Sequence, residues 1–485
     1  MLKAFTFRLL RRNHDTAAHR ARLRRAIRWQ LLAPVAATLR RSALAALSWW
    51  PLASPSPPRV AHGEDIRVAY FHHAFPLLSE TFIQREVLAL RRAGLALEVF
   101  SLYRAEPGTL DETAHSLALG THYLEPGEFD LRSAAVRRFL RRCPLTCAKL
   151  FLYTLFRQHK PHKSWRTDQE LLARALALAV AAEKWGATQL HSPWASPDAF
   201  TALLASRLLR IPYTMHVRAS DLHRPYDRPG LVERLRHASH IVTNSEYNER
   251  ILTEMLSSFR RRPPILRVYN GLDLLEYRPI DAPPVETGPP LVLSVGRIIE
   301  AKGFEHLVRA CAVLKEQGRA LRCEIIGAAP KEEPNYFLRL LKLRRALRLE
   351  GEIEFVGVAP PGRVRARYAE AAVFVLPSVI TADGTGDVTP NVVIEAMATG
   401  LAVISTRSRA IPELVEDGVS GLLVEPGDVG ALAAAIARVL DDPGLTRRLG
   451  RNARARVEQR FDIHRNTRKL LALFRGELDH GKDES

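Results

Sequence analysis

Cysteine is scarce in this chain, with four residues among 485. Four thiols are too few for a disulfide framework in a chain of this length, which indicates a reducing compartment. Cys143 and Cys147 have the spacing of one helical turn, but no second Cys or His pair supplies the remaining ligands of a structural metal site. We therefore expect ordinary packed or surface thiols.

Long apolar runs are also missing. The uncharged stretch over residues 42–58 is interrupted by four prolines and four serines, whereas a transmembrane helix needs about 20 predominantly apolar residues. Arginines are scattered to position 28 with no compact apolar core behind them, which argues against a secretory signal. With 47% hydrophobic and 25% charged residues, the composition is typical of a globular protein of two or three domains and excludes disorder and a polytopic membrane protein.

Acidic residues are almost absent from the first 60 positions. This segment holds twelve lysines and arginines against one acid, Asp15, so +11 of the formal charge of +19 lies there. Leu, Ile, Phe and Trp are interleaved with the cations, a pattern typical of helices that lie on an anionic membrane surface. A disordered basic tail and a nucleic-acid arm are the alternatives. The apolar content favours the membrane, and we expect no nucleic-acid partner.

Strand and helix patterns alternate through the rest of the chain and predict two α/β halves with mostly parallel sheets. Such halves bind ligands in a cleft at the carboxyl ends of their strands. The predicted organisation is a basic amphipathic extension with a Pro-rich linker (1–62), a first domain (63–280), a second domain (281–460) and a C-terminal helix that crosses back to the first domain (461–485). The predicted strands are 66–71, 95–102, 189–191, 212–216, 239–244, 265–269, 291–295, 321–326, 353–356, 373–376, 402–405 and 421–424.

The clearest chemical feature is the stretch DGTGDVTPNVVIEAMA at 383–398. Thr389 can cap a helix and Pro390 suits its first position, and the free N–H groups of a helix start can hold an anion. Glu395 is flanked by apolar residues, and a carboxylate in such a helix needs partners, which the hydroxyls of a polyol can supply. Asp387 precedes the helix; taken alone, it is explained equally well as a solvated charge.

Two further features lie at predicted strand ends. Gly296 follows the strand at 291–295, and Arg297 and Lys302 come next in a loop. A planar guanidinium and a compact ammonium together suit a diphosphate, although two solvated cations are the simpler alternative. His216 ends a strand of the first half, where a lone histidine is more often structural than catalytic.

Together these segments resemble the retaining glycosyltransferases of family four, which have the GT-B fold of two Rossmann-like domains facing a central cleft. In the first half, FPLLSETFIQREVLAL, IPYTMHVRASDL and IVTNSEYN are similar to colanic-acid and amylovoran transferases of exopolysaccharide assembly. The segments that carry the family resemblance are VYNGLDLLEYRP, SVGRIIEAKGFEHLVRA, VFVLPS, DVTPNVVIEAMATGLAVIST and IPELVEDGVSGLLVEPGD.

The resemblance implies roles for single residues. Arg297 and Lys302 match the pair that neutralises the nucleotide diphosphate and stabilises the leaving group. Glu395 matches the acid that binds the ribose hydroxyls, and Asp387 stands where the family usually has a glutamate facing the donor sugar. His216 matches the first-domain histidine near the reacting sugar.

The resemblance also implies which residues form the catalytic and donor-binding sites. The implied catalytic residues are His216, Asp387, Arg297 and Lys302. The implied donor-binding residues are Gly296, Arg297, Lys302, Asp387, Thr389, Pro390, Asn391, Val392 and Glu395. The family's His-x-His pair is replaced by His191-Ser-Pro193, so its second histidine is absent. No metal and no cofactor are implied, since the Asp-x-Asp metal clamp is lacking and the nucleoside-diphosphate sugar is a substrate.

The implied function is that of a retaining hexosyltransferase that moves a sugar from a nucleoside diphosphate to a glycan or polyprenyl-diphosphate-linked acceptor. It would act in exopolysaccharide, capsule or lipopolysaccharide synthesis, in the cytoplasm and peripherally on the inner face of the membrane. A nucleotide-sugar 2-epimerase of the same fold is one alternative, but the cation pair and Glu395 favour the transferase. A non-catalytic nucleotide-sugar-binding protein is another, favoured by Asp387 and the absent histidine.

Overall fold

The computed structural model describes most of the chain after the basic segment. The predicted extension at 1–62 and most of the linker at 281–290 lie outside the described residues. The described residues are 65–77, 80–104, 112–124, 134–156, 165–218, 221–222, 228–279, 288–330 and 334–478. Residues 145–169 belong to a compact unit separate from that of residues 58–144 and 170–485, and the two sheets described below lie in the latter. None of the described helices is long and apolar enough to cross a membrane, and all four cysteines are free thiols.

The first sheet has seven parallel strands in the order β3-β2-β1-β4-β5-β6-β7. Its strands are β1 Arg67–Phe75, β2 Ala96–Arg104, β3 Thr121–Tyr123, β4 Gln189–Ser192, β5 Tyr213–Val217, β6 His240–Thr243 and β7 Ile265–Arg267. The helices of this part of the chain are α1 Thr81–Arg92, α2 Glu112–Leu119, α3 Ala134–Arg142, α4 Pro144–Phe156, α5 Trp165–Trp185, α6 Ala199–Leu209, α7 Arg228–Arg236 and α8 Glu246–Met255. The strand order reverses direction between β1 and β4, which is the place where Rossmann-like sheets open a binding crevice.

The second sheet has six parallel strands in the order β10-β9-β8-β11-β12-β13. Its strands are β8 Leu291–Val295, β9 Arg322–Ile326, β10 Ile353–Gly357, β11 Val373–Leu376, β12 Val403–Thr406 and β13 Leu422–Val424. The helices that follow are α9 Phe304–Glu316, α10 Pro334–Ala346, α11 Pro361–Glu370, α12 Asn391–Ala398, α13 Ile411–Leu414, α14 Val429–Asp441, α15 Pro443–Arg460 and α16 Ile463–Arg475. This strand order is that of the Rossmann fold, so the predicted pair of Rossmann-like sheets is confirmed.

The predicted strands of the second sheet coincide with the observed ones because parallel strands buried on both faces appear as continuous apolar runs. All five residues of β8 are buried, as are all four of β11. Two predictions in the first sheet were wrong. The short strand β3 was not predicted, and β1, which was predicted to end at residue 71, continues to Phe75, since His72 and Phe75 are buried and pair with β2.

Helix α16 packs against the first sheet. Leu470, Leu473 and Phe474 belong to the same buried cluster as residues of β1, β2 and α1, and Gln189 Nε2 donates a hydrogen bond of 2.5 Å to the Phe474 carbonyl oxygen. The chain approaches this helix closely at Gly271, where a Cβ atom would lie 2.5 Å from the Ile463 Cα. No side chain fits at this position without backbone movement.

We therefore expect Gly271→Ala to destabilise the protein by about 1–3 kcal/mol, the usual cost of forcing an extra carbon into packed backbone. Chemical unfolding in urea measures the change. Gly351→Ala is the control, because a Cβ atom at Gly351 meets no atom within 4 Å. Equal unfolding midpoints for the two variants would contradict the close approach.

Candidate active site

Helix α12 follows β11 in the chain and carries three of the nine predicted donor-binding residues, Asn391, Val392 and Glu395. It begins at Asn391 with Pro390 as its N-cap residue, and no side chain caps it. The predicted cap by Thr389 was therefore wrong by one position. The Thr389 hydroxyl instead accepts a hydrogen bond of 2.7 Å from Asn244 Nδ2, which follows β6 in the first sheet. Because the helix start has no side-chain cap, its first N–H groups remain suited to an anion.

Lys302 and Asp387 form an ion pair in front of this helix. Lys302 Nζ lies 2.9 Å from Asp387 Oδ1, and the Ser378 hydroxyl donates to Asp387 Oδ2 at 2.7 Å. The Lys302 and Asp387 side chains are 11% and 19% exposed, so the pair is partly shielded from water. The structure thus brings together two of the predicted catalytic residues.

Gly303 fixes the direction of the segment that carries Lys302. Its φ is +67°, and a Cβ atom would lie 1.9 Å from the Pro377 carbonyl oxygen. Any other residue would be strained by the left-handed backbone, and its Cβ atom would collide with this carbonyl oxygen. The loop after β8 therefore lies directly on the end of β11, which places Lys302 beside the chain that leads to Asp387.

Arg297, the other predicted cation, follows Gly296 at the carboxyl end of β8. Its side chain is exposed, and neither an ion pair nor a side-chain hydrogen bond holds it within the described part of the chain. The Gly296 N–H is bonded to the Ile326 carbonyl at 2.9 Å. The two cations thus differ: Lys302 is already neutralised by Asp387, whereas Arg297 remains solvated.

Glu395 is 9% exposed on α12, and each of its carboxylate oxygens accepts one hydrogen bond. Oε1 accepts a hydrogen bond of 3.1 Å from Arg85 Nη2, and Oε2 accepts one of 3.3 Å from the Tyr368 hydroxyl. Arg85 lies on α1, against the first sheet, and also donates to the Tyr277 hydroxyl at 2.9 Å. A buried carboxylate requires partners of this kind, and one of them comes from the first domain.

His216 is the penultimate residue of β5 and lies in a buried network. The Glu86 carboxylate accepts from the Tyr70 hydroxyl at 2.6 Å and from Arg218 Nη2 at 2.9 Å, and its Oε1 lies 3.7 Å from His216 Nδ1. His191 Nε2 lies 3.3 Å from the same His216 nitrogen. Burial and the neighbouring Arg218 hold the pKa of both histidines below the ordinary range, and that of His191 at about 3. Both rings are therefore neutral at neutral pH.

We interpret the tautomers of the two rings from the Glu86 carboxylate, whose Oε1 lies 3.7 Å from His216 Nδ1 and favours a proton on that nitrogen. The Thr214 hydroxyl, which also lies 3.5 Å from the Leu190 carbonyl, then accepts from His191 Nδ1 at 2.7 Å. His191 Nε2 is then an acceptor, and His216 Nδ1 carries the proton shared with it. His216 Nε2, which is buried and without a hydrogen-bond partner among the described residues, is left with a free lone pair.

Glu86, His191 and His216 also offer ligand atoms that all lie within 4.8 Å of one another. Both oxygens of Glu86 are already engaged, however, and the Arg218 guanidinium beside them disfavours a second cation. We interpret this cluster as a hydrogen-bond network rather than a metal centre.

The network continues to α12. Arg218 Nη1 donates to Asn270 Oδ1 at 2.9 Å, and Asn270 Nδ2 donates to Asn391 Oδ1 at 2.9 Å. A short series of hydrogen bonds therefore links the environment of His216 to Asn391, the first residue of α12. This series connects His216 and Asn391, which were predicted from the sequence. The residues that connect them, Arg218 and Asn270, were not predicted.

Two more charged residues of the second domain lie near this site. The Glu413 carboxylate accepts hydrogen bonds of 2.7 Å from the backbone N–H groups of Glu246 and Tyr247, at the start of α8, where a carboxylate is favoured. Arg409 has a left-handed backbone, with φ of 48°, and donates to the Gly384 carbonyl in the loop before Asp387. Its Nε and Nη1 atoms are buried without an acceptor in the described part of the chain.

Sequence reasoning missed Arg85, Glu86, Arg218, Asn270, Arg409 and Glu413. A signal existed for Glu86. It lies among Ile83, Val87 and Leu90 on the apolar face of α1, and those residues are all buried. A charged residue at such a position predicts a buried partner, but the pattern does not say which one.

Residues 280–456 match the sequence family described as Glycosyl transferases group 1. WcaL of Escherichia coli (strain K12), provisionally named a colanic acid biosynthesis glycosyltransferase, is 28% identical over 84% of this chain and 99% of its own length. The amylovoran biosynthesis glycosyltransferase AmsK of Erwinia amylovora is 26% identical, again over 84% and 99% of the two chains.

This chain carries a group 1 glycosyltransferase domain. Gly296, Arg297, Lys302, Asp387 and Glu395 all lie within it, whereas His216 lies outside.

The fold comparison extends over both sheets. Sucrose-phosphate synthase from Thermosynechococcus elongatus superposes with a TM-score of 0.63 at 22% identity, covering 85% of this chain and 98% of the other. HepE of Anabaena, solved in complex with UDP, gives a TM-score of 0.62 at 18% identity, covering 85% and 100%. These likenesses confirm the predicted GT-B fold around the group 1 glycosyltransferase domain.

The buried neutral histidines predict acid sensitivity. Their pKa values are lowered in the folded state, so between about pH 6.5 and 3 the unfolded chain binds protons that the folded chain does not. Stability should therefore fall as the pH falls through this window. We expect His191→Gln to reduce the slope by up to about 1.4 kcal/mol per pH unit, measured as urea unfolding from pH 7 to pH 4.5.

The exposed His115 on α2 provides the control for this prediction. His115→Gln should leave the pH dependence of the unfolding free energy unchanged. A slope that is the same in the wild-type chain, His191→Gln and His115→Gln would refute the assignment of a neutral buried His191.

Proposed function

We propose that the protein is a retaining hexosyltransferase that moves a sugar from a nucleoside-diphosphate sugar to a glycan or polyprenyl-diphosphate-linked acceptor during exopolysaccharide synthesis. Its relatives WcaL and AmsK are named for colanic acid and amylovoran biosynthesis, and its structural neighbour HepE was solved with UDP. The observation that carries the proposal is the arrangement of Lys302, Asp387 and Glu395 around the uncapped start of α12.

The diphosphate and the ribose of the donor each have a matching group in this arrangement. The diphosphate lies at the start of α12, where the free N–H groups and the positive end of the helix dipole favour an anion. Arg297, exposed and without a fixed partner among the described residues, adds a guanidinium fork to the phosphate oxygens. The ribose hydroxyls donate to Glu395, whose carboxylate lies one to two turns along the same helix.

Lys302 changes partner when the donor binds. Without a nucleotide its ammonium is neutralised by Asp387 at 2.9 Å. A diphosphate close to the pair supplies a second negative group for Lys302, which leaves Asp387 with oxygen lone pairs for the hydroxyls of the donor sugar. Lys302 then contacts the leaving diphosphate and Asp387 contacts the sugar, one on each side of the bond that breaks.

His216 supports the sugar from the first domain. The tautomer assigned above leaves its Nε2 as an acceptor, and this nitrogen is buried without a partner among the described residues. A hydroxyl of the donor sugar is a suitable hydrogen-bond donor for it. Because the ring is neutral, it adds no positive charge beside the anomeric carbon, and its proposed role is to orient the sugar.

The reaction breaks the bond between the anomeric carbon and the phosphate oxygen and forms a bond from that carbon to the acceptor oxygen on the same face. The departing phosphate oxygen takes the proton of the acceptor hydroxyl. Negative charge develops on the diphosphate, so fixed cations and helix N–H groups supply the largest part of the stabilisation. No divalent metal takes part in this proposal, since Lys302, Arg297 and α12 fill that role.

The test is release of free nucleoside diphosphate from a panel of UDP-, GDP- and ADP-sugars, with and without a lipid-linked acceptor extract. We expect one donor to be consumed, stimulation by the acceptor, no effect of EDTA, and an α-configured product from an α-configured donor by NMR. Lys302→Ala should lower kcat about 10²–10³-fold, as for the loss of one charge-stabilising donor.

Lys315→Ala is the matched control, because Lys315 forms an ion pair with Glu352 on the surface of the same domain. Full turnover in Lys302→Ala would refute the assignment to the diphosphate. Epimerised donor in the absence of acceptor would favour the 2-epimerase. Tight nucleotide binding without turnover of any donor would favour the non-catalytic protein.

The basic segment at residues 1–60 supplies the second part of the proposal, attachment to an anionic membrane where lipid-linked acceptors lie. Its net charge of +11 and interleaved apolar residues support surface binding. We expect removal of residues 1–60 to release the protein from phosphatidylglycerol-containing vesicles in a sedimentation assay. Neutral phosphatidylcholine vesicles are the control, and unchanged binding to anionic vesicles would refute the role of this segment.

A further inference from the structure

Arg85 is the one first-domain side chain that contacts Glu395 in the described part of the structure. It lies on α1, 310 positions before Glu395 in sequence, and its side chain is 16% exposed. The same Nη2 atom donates to Glu395 Oε1 and to the Tyr277 hydroxyl. The contact therefore joins the first domain to the acid that is proposed to hold the ribose.

Arg85 does not need to leave when a nucleotide binds. A carboxylate offers about four lone-pair positions, and Arg85 and Tyr368 use one on each oxygen of Glu395. Two positions remain, which match the two O–H donors of a ribose diol. Arg85 thus holds Glu395 in orientation without competing for the whole carboxylate.

Arg85 has a donor left over. Its Nη1 atom is buried and has no acceptor among the described residues. Since guanidinium N–H groups point in fixed directions and cannot be deprotonated, this donor needs an acceptor that the described residues do not supply. A ribose hydroxyl suits it, because the oxygen can accept from Arg85 while its proton is donated to Glu395.

The guanidinium is held in place from several sides. The Arg85 Cζ atom lies 5.8 Å from the centroid of the Tyr277 ring, and the next residue, Glu86, is fixed in the buried network of His216 and Arg218. Burial lowers the pKa of Arg85, but Glu395, Tyr277 and Glu276 together raise it by more, so that the net pKa lies above its ordinary value. The side chain is therefore a charged and preorganised donor.

We propose that Arg85 is a ribose-recognising residue contributed by the first domain. Its Nη2 orients Glu395, and its Nη1 donates to a ribose hydroxyl oxygen. Nucleotide binding then completes a contact between the two domains at the ribose. The inference rests on the proposed function, because it assigns the Glu395 site to a nucleotide.

The test measures binding of UDP, GDP and ADP to the full chain by calorimetry, followed by the 2′-deoxy and 3′-deoxy forms of the nucleotide that binds. Arg85→Ala should weaken the ribonucleotide about ten- to fifty-fold, in the range of a charge-assisted hydrogen bond. For the deoxy analogue that lacks the accepting hydroxyl, Arg85→Ala should weaken binding by less than about threefold. The reason is that the substitution and the missing hydroxyl remove the same contact. Arg85→Lys keeps the charge beside Glu395 but not the fork, and should recover part of the loss.

Arg92→Ala is the matched control, because Arg92 lies on the same helix, is 63% exposed and pairs with Asp273 at 3.4 Å. It should bind like the wild-type chain. Circular dichroism checks that each variant is folded. If Arg85→Ala is not folded, Arg85→Lys replaces it in the binding comparison.

The outcomes separate the inference from the proposed function. Equal losses for the ribonucleotide and both deoxy analogues would show that Arg85 only braces the domains, which overturns the inference. Unchanged binding in Arg85→Ala, with loss in Glu395→Ala, would also overturn it but leave the proposed function standing. A wild-type chain that binds none of the three nucleotides would overturn both.

Discussion

The buried carboxylate of Glu395 is the constraint on which the site depends. Helix α12 packs its remaining side chains between β11 and β12, so Glu395 is carried into a region where an unpaired charge is costly. The second domain supplies one partner, Tyr368, and the first domain supplies the other, Arg85. A local requirement for neutralisation thus joins the two domains at one point. The same carboxylate retains lone pairs, which suits this point of contact to the proposed ribose site.

Three other contacts between the domains share this chemistry. Asn244 bonds to Thr389, Asn270 bonds to Asn391, and Glu413 accepts from the start of α8. All three are polar, and polar interfaces between domains usually permit relative motion. Two of them involve Thr389 and Asn391, at the start of α12. A ligand placed at this helix start would therefore lie next to side chains that already contact the first domain. The proposed donor site and these contacts between the domains therefore involve the same residues.

The fold could be predicted from sequence to a large extent because its signals are local. Buried parallel strands appear as apolar runs, and the glycine and proline positions mark their ends. The failures arose where tertiary contacts decide the outcome. The continuation of β1 past His72 depends on pairing with β2, and Thr389 fails to cap α12 because Asn244 holds its hydroxyl. Lys302, Asp387 and Glu395 could be predicted from the motif, but Arg85 could not, since its partner lies 310 positions away.

Asp387 shows how a shorter side chain is accommodated. The resemblance implied a glutamate at this position, one methylene longer. Here the Asp387 carboxylate is fixed by Lys302 on one oxygen and Ser378 on the other, and the close packing of Gly303 on Pro377 brings the lysine to it. The acid is therefore held by the rigid ends of β8 and β11 rather than by its own reach. The carboxylate and the ammonium neutralise each other in this structure, and in the proposed reaction the charge of the diphosphate is what separates their roles.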